Sequence, residues 1–209
     1  PRLIRFLNQR DNFSLGCYVD NNFGDPTDYN MNGNEYDDLR DIAYVDFNLD
    51  GYDDLVLHPI YYDVNSTFAS VKFPIEVYMY RDGEYIYREV LTQNGSLPEA
   101  FLATKIIVGD FDNDGYPDLY CINHGTDSAP YIDENQFFLF NDLESQGVFT
   151  QIDNTYNRNS HFGASADIDN DGDLDIYAPG LYPCDKGRGC DFLINNGGRN
   201  FSPGNLLND

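Results

Sequence analysis

The stretch Asp110-Phe-Asp112-Asn-Asp114-Gly115-Tyr116-Pro-Asp118 places carboxylates at relative positions 1, 3, 5 and 9, with glycine at 6. Oxygen ligands at that density suit a hard cation, and Ca²⁺ accepts about six to eight of them in a flexible shell. The pattern occurs twice more, as Asp46-Phe-Asn48-Leu-Asp50-Gly51-Tyr52-Asp-Asp54 and Asp167-Ile-Asp169-Asn-Asp171-Gly172-Asp173-Leu-Asp175. Side chains at positions 1, 3 and 5 converge on one point, and glycine at 6 permits a positive-φ turn. Position 7 offers its backbone carbonyl, and a carboxylate at 9 closes the shell. The expected ligands are therefore Asp46, Asn48, Asp50, Tyr52 and Asp54, then Asp110, Asp112, Asp114, Tyr116 and Asp118, then Asp167, Asp169, Asp171, Asp173 and Asp175. That makes three Ca²⁺ sites. Asn48 leaves the first loop one charge short, so its site should be the weakest.

These loops need strands on both sides. Ile42–Val45 enters the first loop and Leu55–Leu57 leaves it; Lys105–Val108 and Leu119–Ile122 flank the second, and Phe162–Ala166 and Leu174–Tyr177 the third. A second hairpin follows each loop: Ile75–Tyr80 to Tyr85–Tyr87 across Asp82-Gly83, Phe137–Phe140 to Val148-Phe149 across Asn141-Asp142, and Phe192–Asn195 to Phe201 across Asn196-Gly197. Asp-Gly and Asn-Gly between β-prone runs are strong hairpin cues. A further hairpin is expected over residues 3 to 20. An EF-hand is excluded, because it requires helices and a Glu at position 12, where Leu57, Cys121 and Ala178 stand.

The loops start at 46, 110 and 167, an internal repeat whose unit is a strand pair around a metal turn followed by a hairpin. Four-stranded units at this period read as β-propeller blades, an all-β fold. The expected division is a half-blade hairpin at 1–21, then blades at 22–91, 92–155 and 156–209, about three and a half blades in one repeat domain. Propellers close with about four to eight blades. The remainder is expected from chain beyond this segment or from another copy in an oligomer or filament. Asp28 to Asp37 imitates the motif with an insertion and reads as a solvated loop.

Twelve basic residues stand against 36 acidic ones, a net charge of −24. That excludes nucleic acid, whose affinity rests on Lys and Arg neutralising phosphates, and disfavours an anionic membrane surface. No apolar run approaches a membrane span. The chain starts at Pro1 without a signal-peptide pattern and reads as a processed or excised segment. Cys184 and Cys190 can close a small loop, which leaves Cys17 and Cys121 to pair, although three connectivities are open. Sequons occur at Asn12, Asn65, Asn94 and Asn200, of which about two are expected by chance in so Asn-rich a chain. Cysteines, sequons and calcium loops together favour a secreted or cell-surface glycoprotein.

The loop between short strands, with the wording Phe192-Leu-Ile-Asn-Asn-Gly-Gly-Arg-Asn-Phe201, resembles FG-GAP/VCBS repeats over roughly residues 40 to 203. These are the calcium-binding blades of integrin alpha-subunit propellers and of many secreted microbial proteins. The resemblance implies a β-propeller with Ca²⁺ at a turn of each blade, but no single activity.

No nucleophile–base–acid set is visible, and His58, His124 and His161 read as structural hydrogen-bonders rather than bases. The expectation is no enzyme, but an extracellular module of structural, adhesive or self-assembling character, with a protein or glycan ligand at the cell surface or matrix. The alternative is a carbohydrate-binding propeller, or a non-catalytic domain of a secreted polysaccharide-active enzyme. Tyr61, Tyr62 and Tyr182 are then the candidates to stack on sugar rings.

Overall fold

A computed structural model describes residues 3–6, 17–19, 37–61, 72–88, 91–100, 103–123, 136–141, 148–154, 160–179 and 192–204. In chain order the strands are β1 (Leu3–Phe6), β2 (Cys17–Val19), β3 (Asp37–Val45), β4 (Asp54–Tyr61), β5 (Phe73–Pro74), β6 (Glu76–Arg81) and β7 (Glu84–Arg88). There follow β8 (Leu91–Thr92), β9 (Glu99–Ala100), β10 (Ala103–Gly109), β11 (Asp118–Asn123), β12 (Gln136–Asn141) and β13 (Val148–Asn154). The last four are β14 (Ala164–Ala166), β15 (Asp175–Tyr177), β16 (Phe192–Asn195) and β17 (Phe201–Gly204). Among the described residues no helix is long and apolar enough to cross a membrane.

The strands form three antiparallel four-stranded units, β3-β4-β6-β7, β10-β11-β12-β13 and β14-β15-β16-β17. The N-terminal hairpin joins the first of them: β1 pairs with β7, so the sheet runs β2-β1-β7-β6-β4-β3. Strand β8 adds to the outer edge of the second sheet, parallel to β13.

Register explains where the loops sit. Val45 faces Asp54, Gly109 faces Asp118, and Ala166 faces Asp175. Position 9 of each loop is thus the first residue of the second strand, opposite the residue just before position 1. The Asp82-Gly83 turn takes the expected shape, with φ of 52° and 88°, as a tight right-twisted hairpin requires. The β16–β17 hairpin falls where it is expected, from Phe192–Asn195 to Phe201 across a turn that starts at Asn196-Gly197. Asn195 pairs with Phe201, and Gly197, Gly198 and Arg199 all take positive φ. The Asn196 side chain bends the turn by donating to the Ile194 and Asn200 carbonyls, 3.1 Å each.

Sheets pack face to face, and the alternation of side chains along each strand assigns residues to one interface or the other. Between the first and second sheets lie Val45, Phe47, Val56, Val77 and Met79 against Ile106, Leu119, Cys121, Phe137, Leu139 and Phe149. Between the second and third lie Ile107, Phe111, Tyr120, Ile122, Phe138 and Phe140 against Ile176, Ala178 and Leu193. The middle sheet is therefore covered on both faces, and β11 and β12 are buried at every position. Gly163 lets the approach to β14 come close: a Cβ there would stand 2.5 Å from Ile122 Cδ1 and 2.6 Å from the Tyr177 carbonyl.

Cys121 is a buried free thiol in the first interface, and burial pushes its pKa up. This corrects the expected Cys17–Cys121 bridge. The physical reason is placement, because Cys121 faces β3 and β4 of the neighbouring sheet, whereas Cys17 lies on the strand at that sheet's far edge. Cys184 and Cys190 lie outside the described residues.

Candidate metal centres

The three loops share one internal wiring. The position 1 carboxylate accepts the backbone N–H groups of positions 5 and 6: Asp46 from Asp50 and Gly51 (3.0 and 2.8 Å), Asp110 from Asp114 and Gly115 (3.1 and 3.0 Å), Asp167 from Asp171 and Gly172 (both 3.1 Å). Position 3 accepts the N–H of position 5, at 3.0 Å for Asn48, 3.2 Å for Asp112 and 3.3 Å for Asp169. Position 5 accepts the N–H of position 7 at 2.9 to 3.0 Å. These bonds turn the chain so that its acidic side chains face inward. The turn uses positive φ at glycine 6, near 90° to 100° at Gly51, Gly115 and Gly172, and also at position 4. Asn113 and Asn170 suit that second position; Leu49, with φ 55°, does not.

Position 9 does something further. Asp54, Asp118 and Asp175 are fully buried. One oxygen of each accepts the N–H of position 2, from Phe47, Phe111 and Ile168 at 3.1, 2.9 and 2.8 Å. The other accepts the N–H of a residue near the end of the third strand, from Tyr80, Asn141 and Asn195 at 2.8 Å each. The carboxylate thereby ties the metal loop to the second hairpin of its own sheet. Burial pushes the Asp118 carboxyl up to about 7, against the two N–H bonds, which lower it, with added repulsion from Asp112 and Asp114. Burial likewise raises Asp54, with smaller contributions from Asp50 and Asp46.

Position 2 links neighbouring sheets. Phe47 and Phe111 are buried plugs, the first edge-on to Phe149 and the second edge-on to Phe138. Their carbonyls accept the side-chain amides of Asn141 (3.0 Å) and Asn195 (2.7 Å), which come from the following sheet. Two more ties join loop two to the third sheet, one to its loop and one to its β16–β17 turn. Asn113 Nδ2 donates to Asp173 at 2.5 Å, and Arg199 pairs with Asp112. Between the first strands of the first two sheets, Asp41 accepts from Lys105 Nζ (3.0 Å) and from the Ile106 N–H (2.6 Å).

Carboxylate oxygens of Asp110, Asp112 and Asp118 lie within 4.8 Å of one another, as do those of Asp167, Asp169 and Asp175. Both sets are all-oxygen, which fits a hard divalent cation. The first loop has no such trio, since Asn48 holds position 3 and its Nδ2 donates to Asp50 at 2.9 Å. In all three loops the backbone bonds hold positions 1, 3, 5 and 9 in one turn. Residues 28–36 and the Asp37 side chain, which make up the imitation at Asp28 to Asp37, lie outside the described residues, as do Asn12, Asn65, His124, Tyr62, Tyr182 and the side chain of Tyr61. Asn94 and Asn200 are exposed. His58 is buried, with Nε2 3.4 Å from the Ala100 carbonyl.

The sequence reading missed Asn141, Asn195 and Arg199. A signal was present: both third strands end in the wording Phe-Leu-x-Asn, at 138–141 and 192–195. Residues 110–178, which carry the second and third loops, match the model of the FG-GAP-like repeat. Over 101 residues, 48% of its length, the chain is 31% identical to integrin alpha-6 of Homo sapiens. It spans only 8% of that relative. The repeated acidic turns between antiparallel strands, the family match over residues 110–178 and the integrin similarity together support a relationship to the FG-GAP, integrin alpha-like repeats.

Proposed function

We propose that this chain is a calcium-stabilised stretch of β-propeller that works outside the cell as an adhesive or structural interaction module, without catalysis. Its blades are 22–91, 92–155 and 156–209, with 1–21 an additional hairpin. Each loop takes one Ca²⁺ through positions 1, 3, 5 and 9 and the carbonyl of position 7. The observation that carries the reading is the pair of carboxylate trios, each in a turn already bent by its own backbone N–H groups. When bound, the ion would supply the charge that lets these carboxylates stay together at neutral pH. The similarity to integrin alpha-6 supports a protein ligand at a cell surface. A ring completed by further chain, or by another copy, would present the loops on one rim.

Calcium titration of the EDTA-treated chain, followed by calorimetry and thermal melting, tests this. Binding at three sites, the first loop weakest, with a melting temperature that rises with Ca²⁺ is expected. A melting temperature indifferent to Ca²⁺ and EDTA overturns it.

A further inference from the structure

The second and third loops carry the same carboxylates at positions 1, 3, 5 and 9 but sit in different surroundings, and one difference is a guanidinium. Arg199 belongs to the β16–β17 turn of the third sheet, where its backbone takes φ 67°. The turn aims the side chain back over the second sheet. Its guanidinium carbon stands 4.6 Å above the Phe140 ring centroid, and both Nε and Nη2 donate to Asp112 Oδ2 at 2.6 Å. The Asp112 side chain is only 6% exposed. At position 3 of the third loop, Asp169 is exposed and has no cationic partner among the described residues.

We infer that Arg199 is a built-in counter-ion of the second loop: it holds that loop to the third sheet when no divalent cation is present, and competes with the cation when one arrives. The inference rests on the calcium reading above. Its physical basis is that Asp112 already spends Oδ2 on two charged donors and Oδ1 on the Asp114 N–H. A cation entering the Asp110–Asp112–Asp118 trio therefore meets one carboxylate neutralised and a positive charge alongside it. Ligand count alone ranks the second and third loops equal. Arg199 makes the second weaker, and makes its occupation a matter of exchanging one positive group for another.

The three loop glycines give separate reporters. The N–H groups of Gly51, Gly115 and Gly172 each donate to their own position 1 carboxylate, so their amide NMR signals follow the three sites individually. Ca²⁺ is titrated into wild type, Arg199→Gln and Arg199→Lys. In wild type the Gly172 signal should move at a lower Ca²⁺ concentration than Gly115. In R199Q the Gly115 midpoint should fall about tenfold, equivalent to about 1.4 kcal/mol, while Gly172 stays unchanged and the EDTA-treated protein melts earlier. R199K should fall between them. Wild type also supplies a measurement free of any variant: the Arg199 Nε–H signal should shift with the same midpoint as Gly115.

A Gly115 midpoint that is unchanged or higher in both variants overturns the counter-ion role and leaves the calcium reading intact. An Nε–H signal that stays still while Gly115 titrates does the same. If none of the three glycine signals responds to Ca²⁺, the calcium reading itself has failed.

Discussion

Asn195 donates its side-chain amide to the carbonyl of Phe111, 2.7 Å away, while its backbone N–H donates to Asp175. One residue thus joins the second hairpin of its own sheet, its own metal loop and the metal loop of the sheet before it. Asn141 repeats the arrangement with Asp118 and Phe47. Because both amides are buried, their partners have no water to fall back on.

Replacing Asn195 by alanine should therefore cost about 2 kcal/mol, the penalty of leaving a buried carbonyl unsatisfied. Urea unfolding at fixed Ca²⁺ measures it. Asn141→Ala should cost a similar amount, and exposed Asn200→Ala little.

The position 9 carboxylates and the position 5 carboxylates separate structure from ion binding. Asp118→Ala strips acceptors from the Phe111 and Asn141 N–H groups, so it should lose about 2–4 kcal/mol even in EDTA. Asp171→Asn, in an exposed position that accepts one backbone N–H, should leave the EDTA melting temperature nearly unchanged and weaken Ca²⁺ binding at the third loop. Melting curves with and without EDTA distinguish the two classes.

Proton linkage has opposite signs in the two states. In the metal-free fold Asp118 holds its proton up to about pH 7, against an ordinary value of 3.8. The folded chain binds that proton more tightly than the unfolded chain, so its contribution is complete below about pH 4 and is lost as pH rises through 7. The difference amounts to about 4 kcal/mol for this one group. Asp54, Asp114 and Asp169 are raised in the same direction. In EDTA the melting temperature should rise as pH falls from 8 towards 5, and Asp118→Asn should flatten that slope. With saturating Ca²⁺ the slope should reverse, because protons then compete with the ion.

Leu49 occupies a left-handed position that asparagine fills in the other two loops, and it is 53% exposed. Leu49→Asn should stabilise the first loop by about 1 kcal/mol, since Asn tolerates this conformation better than a branched apolar residue and little packing is lost. Combining it with Asn48→Asp should bring the first site towards the strength of the third, as calorimetric titration would register.

What could be read in advance was local. Acidic alternation with glycine at 6 specifies a turn within nine residues, and Asp82-Gly83 specifies a hairpin within four, so neither depends on distant chain. The β16–β17 hairpin was equally legible from its own residues, although not the bonds by which the Asn196 side chain spans the turn. The seams between sheets were invisible for a different reason. Asn195 and Phe111 are 84 positions apart, and Arg199 and Asp112 are 87 apart; nothing in either neighbourhood names the other. Cys121 was open for a third reason: four cysteines allow three connectivities and say nothing of burial, whereas this one serves as a small apolar side chain in a seam.

The amide seam also has a direction. Asn141 reaches back to Phe47 and Asn195 reaches back to Phe111, always from the later sheet to the earlier loop. A ribosome releases these units in that same order. Each loop is thus available before the strand that must grip it, and every new sheet docks on a finished surface instead of waiting for one. Growth of the stack is vectorial, with the metal turn of one unit serving as the template for the next.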